Sequence, residues 1–239
     1  SKNGSGYSLW KIDEDHIILE LTGLFANLAS SYIADGHHRA AAASLLGIQR
    51  RKLNLKHQGN EEYNYFSSVY ISTDQLRIYS FNRIVKGLNG LSEEEFINEI
   101  SACFVINEAE SHFIPEQIHQ FGMYLKGKWY SLIAREIIIQ DDNPLTSLDV
   151  SLLHDHVLSP LLNINDPRTD PRISYSSGST PLVNLVAQVD SGKYDIAFIL
   201  YPTSIDQLMK VADEGEVMPP KSTCFEPKFQ VGLLIHQIN

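Results

Sequence analysis

Residues 31–40 read SYIADGHHRA. Ser31–Ala34 is short and largely apolar, Asp35-Gly36 is a turn pair, and His37-His38-Arg39 opens the alanine-rich run HHRAAAASLLG. The pattern predicts a buried strand over 31–34, a tight turn, and a helix that starts near His37 and closes at Gly47, a residue type suited to a helix C-terminus. A strand–turn–helix unit with a glycine in the turn points to a mixed fold in which strands feed helices. It also gathers an acid, two imidazoles and a guanidinium at one helix mouth, which fold stability alone does not require.

The chemistry of that stretch is specific. Gly36 tolerates positive φ and lets a ligand approach the backbone. The first helical turn offers unpaired N–H groups and a partial positive charge. Arg39 adds a planar fork of donors, so the unit is suited to an anion, most naturally a phosphate. His37 and His38 titrate near neutrality and can move or donate a proton. Asp35 is competent to hold a magnesium ion or to accept a hydroxyl proton. A transition metal held by both histidines ranks lower, because adjacent residues point in different directions on a helix or a strand. Asp35 as a simple cap and the histidines as surface polar residues form the bland alternative.

Outward from this unit the chain has two rhythms. In the first, LWKI (9–12) reads as a short strand. DEDHIILELTGLFANLAS reads as a helix, with apolar residues at Ile17, Ile18, Leu21, Leu24, Phe25 and Leu28. Residues 50–62 read as a loop. YNYFSSVYIS and LRIYSF read as a hairpin around Thr73-Asp74-Gln75, and FGMYL with KWYSLIA as a second hairpin around Lys126-Gly127. Ser92 with Glu95 three residues on is a capping box. The second rhythm is LDVSLLHDHVLSPLL (helix), RISYS (strand), TPLVNLVAQVDSG (helix), YDIAFILY (strand), a helix capped by Thr203 or Ser204, and a last strand FQVGLLIHQI. The expected fold class is therefore α+β and α/β mixed: antiparallel hairpins followed by a βαβαβ part with a sheet covered on both faces. A soft boundary at DDNPL (141–145) gives an expected division into 1–143 and 144–239, or one domain.

A second unusual stretch is MPPKSTCFEPK (218–228). Its three prolines exclude a regular helix, and Lys221, Ser222, Thr223 and Lys228 offer two charges and two hydroxyls for an anion. It is not a Walker loop, since the glycines and the following helix are missing. Arg83, at the end of FNRIV, is a further candidate anion contact. DPRTDPRIS reads as a turn with local ion pairs, and His154 and His156 as one partly buried and one exposed histidine.

Bulk properties bound the rest. The 239 residues carry 19 Lys and Arg against 29 Asp and Glu, a net charge of −10. That balance disfavours nucleic acid as a partner. No apolar run is long enough to span a bilayer and the polar, flexible start SKNGSGYSLW is not a signal peptide. Two cysteines far apart give no zinc or disulfide pattern, so a cytoplasmic location is expected.

YIADGHHRA, FNRIV, LDVSLLHDHVLSPLL, DPRTDPRI and EVMPPKSTCFEPKFQVGLLIH together resemble the bacterial and archaeal family called domain of unknown function 1015, from about Leu9 to the C-terminus. The resemblance implies a further N-terminal segment ahead of the Trp10 strand. Ala40–Ala43 also stand where members often carry a Tyr-Glu-Thr type sequence, so the role of that glutamate does not carry over. The strand–DGHHR–helix unit is also similar to the phosphate-binding unit of the ParB and sulfiredoxin superfamily, which includes kinases of free serine. The resemblance implies that Asp35, Gly36, His37, His38 and Arg39 face a nucleotide phosphate. The expected function is a nucleotide-dependent phosphotransferase using ATP or ADP with Mg on a small hydroxyl metabolite such as a free amino acid. The alternative is a non-catalytic nucleotide- or phosphate-binding module.

Overall fold

The computed structural model describes residues 6, 8–139, 142–229 and 231–238. Most of the polar start and Asp141 of the expected boundary lie outside them. The chain divides into two compact units, residues 1–36 and 37–239.

The first unit contains α1 (Asp15–Ala26), where the apolar spacing predicted a helix and Asp15 sits in the first turn. The expected strands at 9–12 and 31–34 do not form. Leu9, Trp10, Ile12 and Ile33 are all exposed. A strand is held by hydrogen bonds to a neighbouring strand, and neither segment has one.

The second unit begins with α2 (His37–Leu53). Gly47 does not end this helix. It lies inside it, where the helix meets the 3-10 turn Glu62–Asn64, and a Cβ there would stand 2.8 Å from the Tyr63 carbonyl oxygen. The glycine serves close approach, not termination. Gly47→Ala gains roughly 1 kcal/mol of helix propensity but drives a methyl into a backbone oxygen. The expected net result is a loss of about 1–2 kcal/mol in urea unfolding.

Two sheets follow, built from β1 (Arg77–Tyr79), β2 (Phe81–Val85), β3 (Phe104–Ala109), β4 (Gln120–Leu125), β5 (Lys128–Ala134), β6 (Ile173–Ser177), β7 (Ile196–Leu200) and β8 (Cys224–Glu226). β1 and β8 form a two-stranded antiparallel ribbon. The other six form one sheet in the order β3-β5-β4-β7-β2-β6, every pair antiparallel. β6 and β7 both run antiparallel to β2, so they are parallel to each other with β2 between them. The helix α5 (Leu182–Asp190) makes that crossover. Strands from both sides of residue 143 thus share a single sheet.

The continuous apolar run of β7 follows from cover on both faces. Ile196, Phe198 and Leu200 join the larger core with α3 (Glu93–Ile100) and α4 (Asp149–Leu153), while Ala197 and Ile199 face Leu185 and Val189 of α5. α3 starts with the capping box read from the sequence: Glu95 N donates to Ser92 Oγ at 3.2 Å and Ser92 N donates to Glu95 Oε2 at 2.8 Å. Those bonds hold the Glu95 carboxyl below its ordinary range. α6 (Ile205–Asp213) is capped by Ser204. The β4–β5 hairpin turns at Lys126-Gly127, both at positive φ.

Two further expectations are corrected. Thr73–Gln75 is a 3-10 turn, not a hairpin: residues 65–72 form no strand, and β1 pairs with β8 instead. The described residues of 229–238 are turn and irregular chain. The second rhythm therefore ends at β7 and α6 and has no third strand in the six-stranded sheet. Among the described residues, no helix is long and apolar enough to cross a membrane.

Candidate functional site

The DGHHR stretch straddles the unit boundary, which falls between Gly36 and His37. Gly36 adopts φ +89°, a conformation that favours glycine. α2 starts at the next residue, and its first turn holds His37, His38 and Arg39 with no acidic side chain. All three are exposed, as is Asp35. Arg50, Arg51 and Lys52 occupy the last turn, where they complement the negative end of the helix dipole. The charge pattern of α2 is therefore unusual at one end only. Basic residues at a C-terminus complement the helix dipole, whereas the Arg39 guanidinium stands near its positive end, where the first-turn amides favour an anion. Within one turn His37 and His38 diverge by about 100°.

The candidates from the other stretches partly converge. Arg83 on β2 is buried, and its Nη2 donates to the Lys221 carbonyl oxygen at 3.1 Å across 138 residues of sequence. Its Nη1 donates to the Phe81 carbonyl oxygen. The guanidinium lies 5.7 Å from the centroid of the Tyr175 ring. Burial pulls its pKa down to about 10, so it stays charged at neutral pH. Lys221 adopts φ +57°, and its Nζ stands 5.3 Å from the Phe81 ring centroid. Ser222 is buried, and its hydroxyl donates to the Pro219 carbonyl oxygen at 2.5 Å, which commits it to the loop. Thr223 is half-buried, and Lys228 is exposed beyond β8. Residues 218–228, where the prolines exclude a regular helix, include the short strand β8.

The DPRTDPRIS ion pairs form as read. Arg168 Nε meets Asp166 at 2.9 Å, and Arg172 Nη2 meets Asp170 at 2.7 Å. Arg172 also donates to the carbonyls of Leu162 and Asn163. His154 and His156 are both half-buried, so one matches the expectation and the other, expected to be exposed, does not. They lie in a single π-helical turn, His154–Leu158, and His154 Nδ1 is buried with no hydrogen-bond partner among the described residues.

Sequence reading missed Asp149. It looks like an ordinary first-turn acid, yet it is only 6% exposed. Burial raises its pKa to about 7, against the pull of the His119 backbone N–H, which donates to its Oδ1 at 2.8 Å. His119 is held at φ +66°, with its Nε2 3.2 Å from the Ser147 carbonyl oxygen. A buried acid announces itself in sequence only when a partner is adjacent, and His119 is 30 residues away.

Among the described residues, no three His, Cys, Asp or Glu side chains converge as a metal site. A divalent ion held at Asp35 would take its remaining ligands from nucleotide phosphates and water, as Mg²⁺ commonly does.

These features define a mixed α and β protein with an antiparallel central sheet, one split βαβ crossover, and a basic helix start after a left-handed glycine. Residues 1–151 match the family described as "Protein of unknown function (DUF1015)". That is more than half of the chain, and the chain belongs to this family. No curated protein matches it. Among solved structures it is similar to a free serine kinase in complex with AMP, at 17% identity over 88% of this chain and 78% of that one, with a TM-score of 0.43. It is also similar to a conserved hypothetical protein from Pyrococcus furiosus, at 18% identity over 88% of this chain and 81% of that one, with a TM-score of 0.42. A mutant free serine kinase in complex with ADP matches at 17% identity over 81% of this chain and 66% of that one, with a TM-score of 0.39.

Proposed function

We propose that this protein is a nucleotide-dependent phosphotransferase whose phosphate site is the first turn of α2. One observation carries the reading. A glycine at φ +89° leads directly into a helix start that presents two exposed imidazoles and a guanidinium with no acid among them. In this reading the amides of the first turn hold a terminal phosphate of ATP or ADP. Arg39 neutralises charge that develops on the transferred group, the largest protein contribution to phosphoryl transfer. The bond from phosphorus to the bridging oxygen of the nucleotide breaks, and a bond forms to the acceptor hydroxyl oxygen. Asp35 or a histidine takes the hydroxyl proton, and Asp35 is the candidate Mg²⁺ ligand. Lys221 and Arg83 are candidates for a second anion contact, with Thr223 and Lys228 at the margin and Ser222 as a support of the loop. The acceptor is a small hydroxyl metabolite such as a free amino acid.

The test is incubation with ATP or ADP, Mg²⁺ and a panel of hydroxyl amino acids and hydroxy acids, followed by phosphorus NMR. A new phosphomonoester resonance is expected, and its absence across the panel overturns the enzymatic reading. One observation favours the second reading, a binding module without turnover: Ala40–Ala43 offer no side chain that could move a proton. Nucleotide binding by calorimetry without any product decides for that alternative.

A further inference from the structure

The cluster around Arg83 carries an inference that does not depend on phosphoryl transfer or on α2. Between the 167–175 stretch and the MPPK loop lies a cleft of about 340 Å³. Its walls include Pro167, Ile173, Tyr175 and Pro220, and its charged groups include Arg168 and Lys221. The lining mixes the apolar Pro167, Ile173, Tyr175 and Pro220 with the polar Arg168, Asp170, Ser174 and Lys221. The Tyr175 ring is fixed at its far end, because its hydroxyl donates to the Pro167 carbonyl oxygen at 2.8 Å.

The charges around this cleft do not balance. Asp170, on the wall, is matched by Arg172, and Asp166 is matched by Arg168. Lys221 and Arg83 make no ion pair among the described residues: both Arg83 bonds go to neutral carbonyls, and the Lys221 ammonium rests near the Phe81 ring. Arg83 is only 4% exposed. A buried cation without a counter-charge is costly, and such groups are normally paired. Two positive charges without an ion pair among the described residues, Lys221 in the lining and Arg83 against the Tyr175 ring, attract a doubly charged anion. The volume, with the Tyr175 ring and Pro220 in the lining, suits an attached organic body.

We infer that this cleft binds an organic phosphate monoester, with the dianion toward Lys221 and a planar body against Tyr175 and Pro220. The buried Arg83 supplies background potential and ties the loop in place through the Lys221 carbonyl. Inorganic phosphate lacks the body and adenosine lacks the charge, so each alone should bind weakly.

Pyridoxal 5′-phosphate tests this without any turnover. It is a planar phosphate monoester whose aldehyde condenses with a lysine amine and releases water. Borohydride then reduces the imine to a stable secondary amine that peptide mass mapping locates. The expected result is saturable labelling of Lys221, at least about tenfold faster than of the exposed Lys52 and Lys210. Pyridoxal without the phosphate should not show this preference. AMP should slow the labelling at least about tenfold, and adenosine should not. The inference is overturned if Lys221 reacts no faster than Lys52, if pyridoxal labels it equally well, or if AMP gives no protection. None of these outcomes depends on whether the protein transfers phosphate.

Discussion

Replacing Arg39 with alanine is expected to lower phosphomonoester formation at least about a hundredfold, mainly in kcat. The guanidinium is assigned to charge that appears only as the phosphoryl group moves, and a donor of that kind acts on the transition state more than on nucleotide binding. Arg39→Lys restores the charge but not the planar fork, so it should recover only part of the rate. Arg39 is exposed, and the melting temperature of the alanine variant, read beside its rate, separates a loss of fold from a loss of catalysis. Phosphorus NMR time courses at saturating and subsaturating nucleotide separate kcat from KM. A loss of rate seen only at subsaturating nucleotide contradicts the assigned role.

The second large effect is in stability. The Asp149 carboxyl is buried, and its pKa is raised from an ordinary value of 3.8 to about 7. The unfolded chain releases that proton near pH 4, whereas the folded chain keeps it until about pH 7. Between those values the native state binds more protons, so stability falls as pH rises. The contribution is fully present below about pH 4 and is lost as pH rises through about 7. Three pKa units correspond to at most roughly 4 kcal/mol, and roughly 2–4 is the expected range. Asp149→Asn keeps an acceptor for the His119 N–H and removes the charge. It should match the parent near pH 4 and exceed it by roughly 2–4 kcal/mol at pH 8 and above. Urea unfolding of both proteins from pH 4 to 9 gives the difference directly. A difference that does not change with pH contradicts the burial account.

These cases show what the sequence could and could not disclose. The Ser92–Glu95 cap, the turn at Lys126-Gly127 and the apolar run of β7 are local or periodic, and the chain states them within a few residues. The missing strands at 9–12, 31–34 and 229–238 have the right composition but no neighbouring strand, and pairing is not written in a single segment. Gly47 reads as a helix terminator until the Tyr63 carbonyl is seen against it. The candidate residues Arg83 and Lys221 were each visible as unusual cations. Their meeting through the Lys221 carbonyl depends on β2 and the 218–222 loop arriving at one place, which spacing cannot show. The DGHHR turn was legible because a glycine at positive φ and a helix start rich in His and Arg are both local features.

The most direct test of the central assignment follows backbone amides of ¹⁵N-labelled protein by NMR during a titration with ADP and Mg²⁺. If a phosphate sits on the start of α2, the amides of His37, His38 and Arg39 move together and saturably, because a bound anion accepts from them. If nucleotide binds while those three amides stay in place, the phosphate lies elsewhere and the assignment of α2 is wrong.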